Sequence, residues 1–566
     1  MHADTRTPRA TTAWSLFVIG LLAALGTSYG AYQLAGYSWD QVVDYQSPFL
    51  EIDPASTRVD NPGEDQRTVL VIIDGLTDEA SRSMSAMERL RARGADVSLT
   101  VPEPSLSFPT WTTILSGAPQ QISGVTTNWY ERRVEVETLL DVAMAEGRST
   151  LVAGPTDLDM LYGASAASAS SFTDWDSDTY MSSGIVNDAL RMDEELDGAG
   201  LVIVLLPDID EAGHAHGAAS PEYAEMVATV NADLERLIEG LDDGETVFCI
   251  TPDHGHTATG GHGGWEDPVI HTSCVFVGPG VRHTSAQAEL GDIAPTVAVL
   301  AGLPTPGHAH GLAIVSVLAQ PDSPAVGADL ERASLFARQY APIVQPSAFR
   351  CTEKSMSAIE IRVTYAAADV ERLDHDRSER LPVFVGVLAI LLAFAILTGV
   401  RSWRAAVAAV VGAIAYFAVY NGLYFWAHGY TWSLSAFNEE SMVQTFFNGR
   451  MAEAVIAGLV ACLVAGAIYP LLRRHPKPPK HQYLAGWLSL GVATTLTIQA
   501  ALVLQVAVFW RTWGAAVVWR LPDMRAGFKY DLDLIQLTAL GAVAVLGPVV
   551  TYLVGRVHPR IRKTAP

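Results

Sequence analysis

The 566-residue sequence is too long for one ordinary domain, is 49% hydrophobic, and carries a formal charge of −24 that falls almost wholly outside its long apolar runs. Its soluble part is therefore strongly acidic and offers no broad basic surface for a polyanion, which argues against nucleic-acid binding. Cys249, Cys274, Cys351 and Cys462 show no CxxC spacing and make no disulfide framework; Cys249 and Cys274 sit in apolar, strand-like runs and read as small core residues, with a bridge as the chemical alternative in an oxidising compartment.

Runs of about 20 apolar residues, the length a bilayer requires, occur near Trp14 to Ala35, Leu381 to Val400, Ala405 to Ala427, Ala454 to Leu472, Tyr483 to Trp510 and Leu534 to Val554. The first follows Arg6 and Arg9 and fits a signal peptide, with Ser28 and Gly30 as small residues before a cut, but its length favours an uncleaved anchor. Arg401, Arg404, Arg473, Arg474, Lys477, Lys480, Arg556, Arg560, Arg562 and Lys563 fall on the side shared with the N-terminus, so the positive-inside tendency turns the long segment between the first two runs outward. The expected layout is a cytoplasmic N-terminus at 1–12, an anchor at 13–35, an extracytoplasmic catalytic domain at 36–380, a five-helix membrane domain at 381–555 and a cytoplasmic tail at 556–566, in a plasma (inner) membrane. The outer loops Tyr430 to Arg450 and Arg511 to Asp531 are rich in aromatic residues and read first as interfacial anchors; Arg511, Arg520, Arg525 and Lys529 are also placed to meet lipid phosphates.

Within the outward segment, Thr68 to Ile73, Leu201 to Leu206, Thr246 to Ile250 and Ser273 to Val277 read as strands alternating with helical patterns. The fold class is α/β, a mostly parallel sheet sandwiched by helices, plus a membrane domain of about six helices. Three of the strands end in Asp or Pro-Asp, and open α/β sheets bind ligands at the carboxyl ends of their strands. The Ala/Ser-rich stretch Gly163 to Ser171 reads as a loop or insertion near the site.

Metal-type ligands lie at these strand ends. Asp74 closes "TVLVIIDG", and Gly75 permits a tight turn there. Asp210 and His214 share "LVIVLLPDIDEAGHAHG", where Asp208, Glu211 and His216 read as supporting or solvated groups. Asp253, His254 and His262 lie in "TVFCITPDHGHTATGGHGG", adjacent ligands at an abrupt strand end followed by a glycine-rich loop with another imidazole. In "PSLSFPTWTTILSG", Thr110, Thr112 and Thr113 read as helix-capping hydroxyls, and Ser107 as a nucleophile presented at a helix start whose N–H groups face an anion.

These residues, from about Thr68 to Leu312, resemble the alkaline phosphatase superfamily, in particular its type I phosphodiesterase/nucleotide pyrophosphatase branch and the ethanolamine phosphate transferases of GPI-anchor synthesis. The transferase likeness rests on "DHGHTATGGHGG", on "GDIAPTVAVLAGLPTP" and on an exported domain followed by membrane helices; in the second of these Asp292 reads as a helix cap outside the site. Ser107 fills the nucleophile position before Phe108-Pro109, where Thr is more usual in the branch, and Thr110 is the alternative nucleophile; Asn128 in "SGVTTNWY" fits the family's phosphate-oxygen ligand. The resemblance implies one divalent cation on Asp74, Asp253, His254 and Ser107 and a second on Asp210, His214 and His262. Mixed His and Asp donors favour Zn²⁺, with Mn²⁺ as the alternative.

The implied reaction cleaves or transfers a phosphate ester through a phosphoseryl intermediate. The expected partner is a phosphodiester, with a membrane lipid headgroup favoured over free nucleotides because the domain is acidic and tethered. A phosphomonoesterase is the runner-up. A sulfatase-like hydrolase needs Arg where Trp111 stands, and a non-catalytic metal-binding membrane scaffold is the alternative from another class. Oligomeric state has no signature.

Overall fold

The computed structural model describes residues 7–175, 180–346, 355–436, 440–472 and 480–557. Cys351, Arg6, Arg473, Arg474, Lys477, Arg560, Arg562 and Lys563 lie outside the described residues, as do the side chains of Arg9 and Lys480.

Eight described strands form one sheet: β1 Thr68–Ile73, β2 Ala95–Thr100, β3 Thr150–Pro155, β4 Ala169–Thr173, β5 Leu201–Leu206, β6 Val247–Pro252, β7 His271–Val277 and β8 Thr284–Glu289, in the order β4-β3-β5-β1-β6-β7-β2-β8. All pairings are parallel except those of β7, which runs antiparallel to β6 and β2. The continuous apolar runs of β1 and β5 are explained by burial on both faces. Leu70 and Ile72 enter one core with Leu201, Ile203 and Leu205, while Val69, Val71 and Ile73 enter the opposite core with Val202, Val204 and Leu206.

The Ala/Ser-rich stretch expected as a loop instead supplies β4, an edge strand whose side chains are all half-buried, so it needs no apolar alternation to hold its place. Asp292 does precede the helix Ile293–Ala301, but its carboxylate makes no cap; it accepts from the Leu312 and Glu289 amides and pairs with Arg362. Cys249 and Cys274 are fully buried on adjacent strands as free thiols, with their Sγ atoms 3.6 Å apart.

Five described helices are long and apolar enough to cross a membrane, which makes this a multi-pass membrane protein. The runs Leu381 to Val400 and Ala405 to Ala427 lie on either side of a break at Ser402, where the backbone leaves helical geometry within Ala358–Asn421, so that long element carries two of the six apolar runs. The first helix, Thr7–Val43, extends past its apolar run and packs among the others: Ser28 donates to the Leu537 carbonyl and Gln499 donates to Ser28.

Candidate active site and metal centre

In the sheet, β1 lies between β5 and β6, and the three strands finish level: Ile73 is opposite both Leu206 and Pro252. The residues that follow them therefore meet at one edge. Asp74 leaves β1, the helix Asp208–His216 begins after β5, and Asp253 leaves β6. Gly75 turns the chain with φ +69°, and a Cβ there would stand 2.7 Å from the Asp210 carboxylate, so only glycine lets the two acidic strand ends approach.

Two clusters result, each holding its donor atoms within 4.8 Å of one another: Asp74 with Asp253 and His254, and Asp210 with His214, His256 and His262. In the first, His254 Nε2 stands 3.4 Å from both Asp74 Oδ1 and Asp253 Oδ2. In the second, His214 Nε2 is 3.1 Å from Asp210 Oδ2 and 3.3 Å from His262 Nε2. The His254 and His262 rings stack at 3.9 Å, so the clusters are side by side.

Several features fit cations here. Both oxygens of Asp74 are buried with no hydrogen-bond partner among the described residues. Burial, reinforced by the nearby Asp253 and Asp210 carboxylates, pushes the Asp74 carboxyl well above the usual carboxylate range, and burial also raises Asp253 despite His254. For Asp210, burial acts upward, but the imidazoles of His214, His262 and His256 outweigh it and hold the carboxyl well below that range. Burial, then His254, holds His262 far below an ordinary imidazole, which keeps it neutral as a ligand must be.

Ser107 opens the helix Ser107–Ser116, 7% exposed, with its Oγ 3.4 Å from His254 Nε2. The expected fan of N–H groups at this helix start is narrower than the sequence implies. The Phe108 amide donates to Asn128 Oδ1, Pro109 has no N–H, and the Thr110 amide already donates to the Leu106 carbonyl. Asn128 thus lies beside the turn that carries Ser107, fixed through its carbonyl oxygen.

Thr110, Thr112 and Thr113 do not cap the helix. Each hydroxyl donates to the carbonyl four residues back, those of Leu106, Phe108 and Pro109. Thr110 also donates to Asp253 Oδ2 at 3.1 Å, which commits it to supporting that carboxylate.

Asp208 is neither solvated nor turned to the clusters: its carboxylate accepts from the Met181 and Ser182 amides and fixes the start of the helix Ser182–Glu195. His216 is exposed. The residue missed in the sequence is His256, fully buried, with Nε2 2.6 Å from Asp210 Oδ1. Its signal was present two residues beyond His254 in the same turn. That contact is within hydrogen-bond distance and suits a group that orients Asp210, and His256 also stands within the second donor cluster.

Residues 68–302 match the family described as type I phosphodiesterase / nucleotide pyrophosphatase. The chain is 26% identical over 263 residues to mouse GPI ethanolamine phosphate transferase 1, covering 38% of this chain and 28% of that protein. It is 24% identical over 337 residues to the human transferase 1, covering 49% and 35% respectively. The chain thus spans about a third of the length of these relatives. Murine ectonucleotide pyrophosphatase/phosphodiesterase 5 aligns in structure over 42% of this chain and 96% of its own, at 12% identity and a TM-score of 0.36.

Proposed function

We propose that this chain, whose residues 68–302 match the type I phosphodiesterase / nucleotide pyrophosphatase family, is a membrane-bound phosphoryl-transfer enzyme acting on a phosphodiester. The observation that carries the proposal is the pair of adjacent donor clusters, with the Ser107 hydroxyl beside His254 of the first. Asp74, Asp253 and His254 would hold one divalent cation beside Ser107, and Asp210, His214 and His262 a second, with mixed nitrogen and oxygen donors favouring Zn²⁺. When bound, such a pair lowers the cost of charge on the attacking and leaving oxygens of an in-line displacement.

The chain's own groups supply the rest. Ser107 Oγ gives up its proton to solvent and attacks phosphorus as the P–O bond to the departing ester oxygen breaks; water or an acceptor alcohol then displaces Ser107 from phosphorus, and Oγ regains a proton. Asn128 offers its amide N–H to a non-bridging oxygen, while its carbonyl stays tied to Phe108. Thr110 steadies Asp253 and His256 steadies Asp210.

Two features favour a lipid headgroup over a free nucleotide. The net charge of −24 repels soluble polyanions. A cavity with about 1110 Å³ of non-atom space, part of it open to solvent, lies between the site and the membrane helices; Leu106 and Thr127, next to Ser107 and Asn128, meet Trp39, Phe509, Trp513 and Phe528 there. An extracytoplasmic sheet domain at a plasma (inner) membrane, with both termini cytoplasmic, accords with this reading. The GPI ethanolamine phosphate transferase relatives favour transfer to an acceptor alcohol over hydrolysis.

The test compares wild type and Ser107→Ala, both loaded with Zn²⁺, on a phosphomonoester, a soluble phosphodiester and a labelled phospholipid. The expected result is diester turnover that falls on the order of 10⁴-fold in the variant with both ions retained. Equal turnover in the two proteins removes Ser107 from the reaction.

A further inference from the structure

The loop that carries His262 does not end in solvent. His262 Nδ1 lies 2.9 Å from the Ser105 carbonyl, Ser105 Oγ donates to the Gly264 carbonyl at 3.0 Å, and the chain then runs directly into the loop Thr431–Ser435 beside the membrane helices. There Glu266 accepts three hydroxyl hydrogen bonds, from Thr431 at 3.0 Å, Ser433 at 2.9 Å and Ser435 at 2.9 Å. The Gly264 amide donates to Ser435 Oγ at 3.2 Å, and Trp265 Nε1 donates to the Trp432 carbonyl at 3.0 Å. Arg525 covers the Trp265 ring at 4.7 Å. The approach is close enough that a Cβ on Gly264 would fall 1.7 Å from Ser433 Oγ.

These bonds have an unusual distribution. One carboxylate, four residues beyond a metal-type ligand, collects three hydroxyls from a loop more than 160 positions away in sequence. The same short stretch is tied backward to Ser105, two residues before the nucleophile. His262 is therefore held between the nucleophile turn on one side and the membrane-side loop on the other. The other three members of its cluster, Asp210, His214 and His256, sit on or beside sheet-domain strand ends.

We infer that Glu266, with Ser433 and Ser435, is a latch that positions His262, so that the second cation site is complete only while the sheet domain is seated on the membrane-side loop. This rests on the reading that His262 holds a cation. Glu266, Ser433 and Ser435 are positioning residues, acting on the ion through the Gly263–Gly264 hinge rather than by touching it. In consequence, the two ions differ in what they depend on: the Asp74–Asp253–His254 site belongs to the sheet alone, and the Asp210–His214–His262 site belongs to the sheet and the membrane part together.

The experiment measures Zn²⁺ stoichiometry and the affinity of each ion by chelator competition on the full-length protein. It compares wild type, Glu266→Ala, the pair Ser433→Ala/Ser435→Ala, and the conservative Glu266→Gln, which keeps an acceptor oxygen for the hydroxyls. The expected result is that Glu266→Ala and the serine pair bind one ion as wild type does and the other about 10–100-fold more weakly, the usual range for losing a group that orients a ligand. Glu266→Gln should restore both. Both ions held with wild-type affinity in the serine pair would overturn the latch, and so would equal weakening of both ions, which would mark general loosening of the fold. Wild-type protein that binds fewer than two ions would instead overturn the two-cation reading beneath it. If Glu266→Ala does not fold, the serine pair, which removes only two hydroxyls, decides the question.

Discussion

Asp74 shows how a single residue encodes a dependence on metal. A buried carboxylate whose oxygens accept no hydrogen bond among the described residues is costly when charged, and its raised pKa expresses that cost. Because the folded value lies above the free value of 3.8, the contribution of this group to the metal-free fold is fully present below pH 3.8 and is lost as pH rises through the raised value. Metal-stripped protein should therefore melt at progressively lower temperature as pH rises from 3.8 toward that raised value, with Asp74→Asn flattening the decline and added Zn²⁺ reversing it. A slope identical in wild type and Asp74→Asn would show that Asp74 ionises freely in the fold.

Thr110 belongs to the same scale. Sequence spacing leaves it as an alternative nucleophile, but its hydroxyl is already committed to Leu106, Ser107 and Asp253. Thr110→Val, which keeps the shape and removes the donor, should weaken the ion beside Ser107 by about 10–100-fold, and excess metal should recover most of the turnover. A nucleophile would behave otherwise: turnover would stay lost at saturating Zn²⁺, which a metal titration of the variant's rate reads directly.

At the scale of elements, burial explains legibility only in part: β3, buried at every position, escapes the sequence reading, as does β2. β1 and β5 stand at the bounds their apolar runs predict, because strands covered on both faces must be apolar throughout. β4 and β8 were illegible because both are edge strands, half-exposed or alternating, and apart from Phe172 and Glu289 are built from Ala, Ser, Thr and Gln that serve equally well in loops. The candidate site was legible wherever a metal-type donor followed a buried strand, as Asp74 and Asp253 do. His256 was not, because its importance arises from a contact with a residue 46 positions away, and the reversal of β7 was not, because strand direction is written in no local pattern. The helix Ser107–Ser116 adds a test of its own. Asn128 caps the Phe108 amide that no neighbouring side chain caps, so Asn128→Ala should lower both kcat, by about 10²–10³-fold through the lost phosphate donor, and thermal stability, by about 1 kcal/mol through the lost cap. Asn128→Asp would keep the acceptor and hence the stability, while failing in catalysis because a carboxylate faces the phosphate; the melting temperature and kcat of the pair separate the two roles.

For the whole molecule, the position of the site matters more than any one contact. β5, β1 and β6 end level, and a cavity reached by Leu106, the residue before Ser107, lies among the first helix and the last two. That cavity is lined mainly by apolar and aromatic side chains, with Arg520 and Asp531 as its charged members, an arrangement suited to an acyl chain whose phosphate is presented upward to Ser107. A soluble diester needs none of this surface, whereas a lipid diester gains binding free energy from every buried methylene. Ala516→Trp, which would fill part of the cavity, should therefore reduce kcat/KM on a phospholipid in mixed micelles at least about tenfold more than on a small soluble phosphodiester, a discrimination of ~1.4 kcal/mol. Parallel losses on both substrates would mean that the cavity carries no lipid tail, and the preference for lipid would then rest on tethering to the bilayer alone.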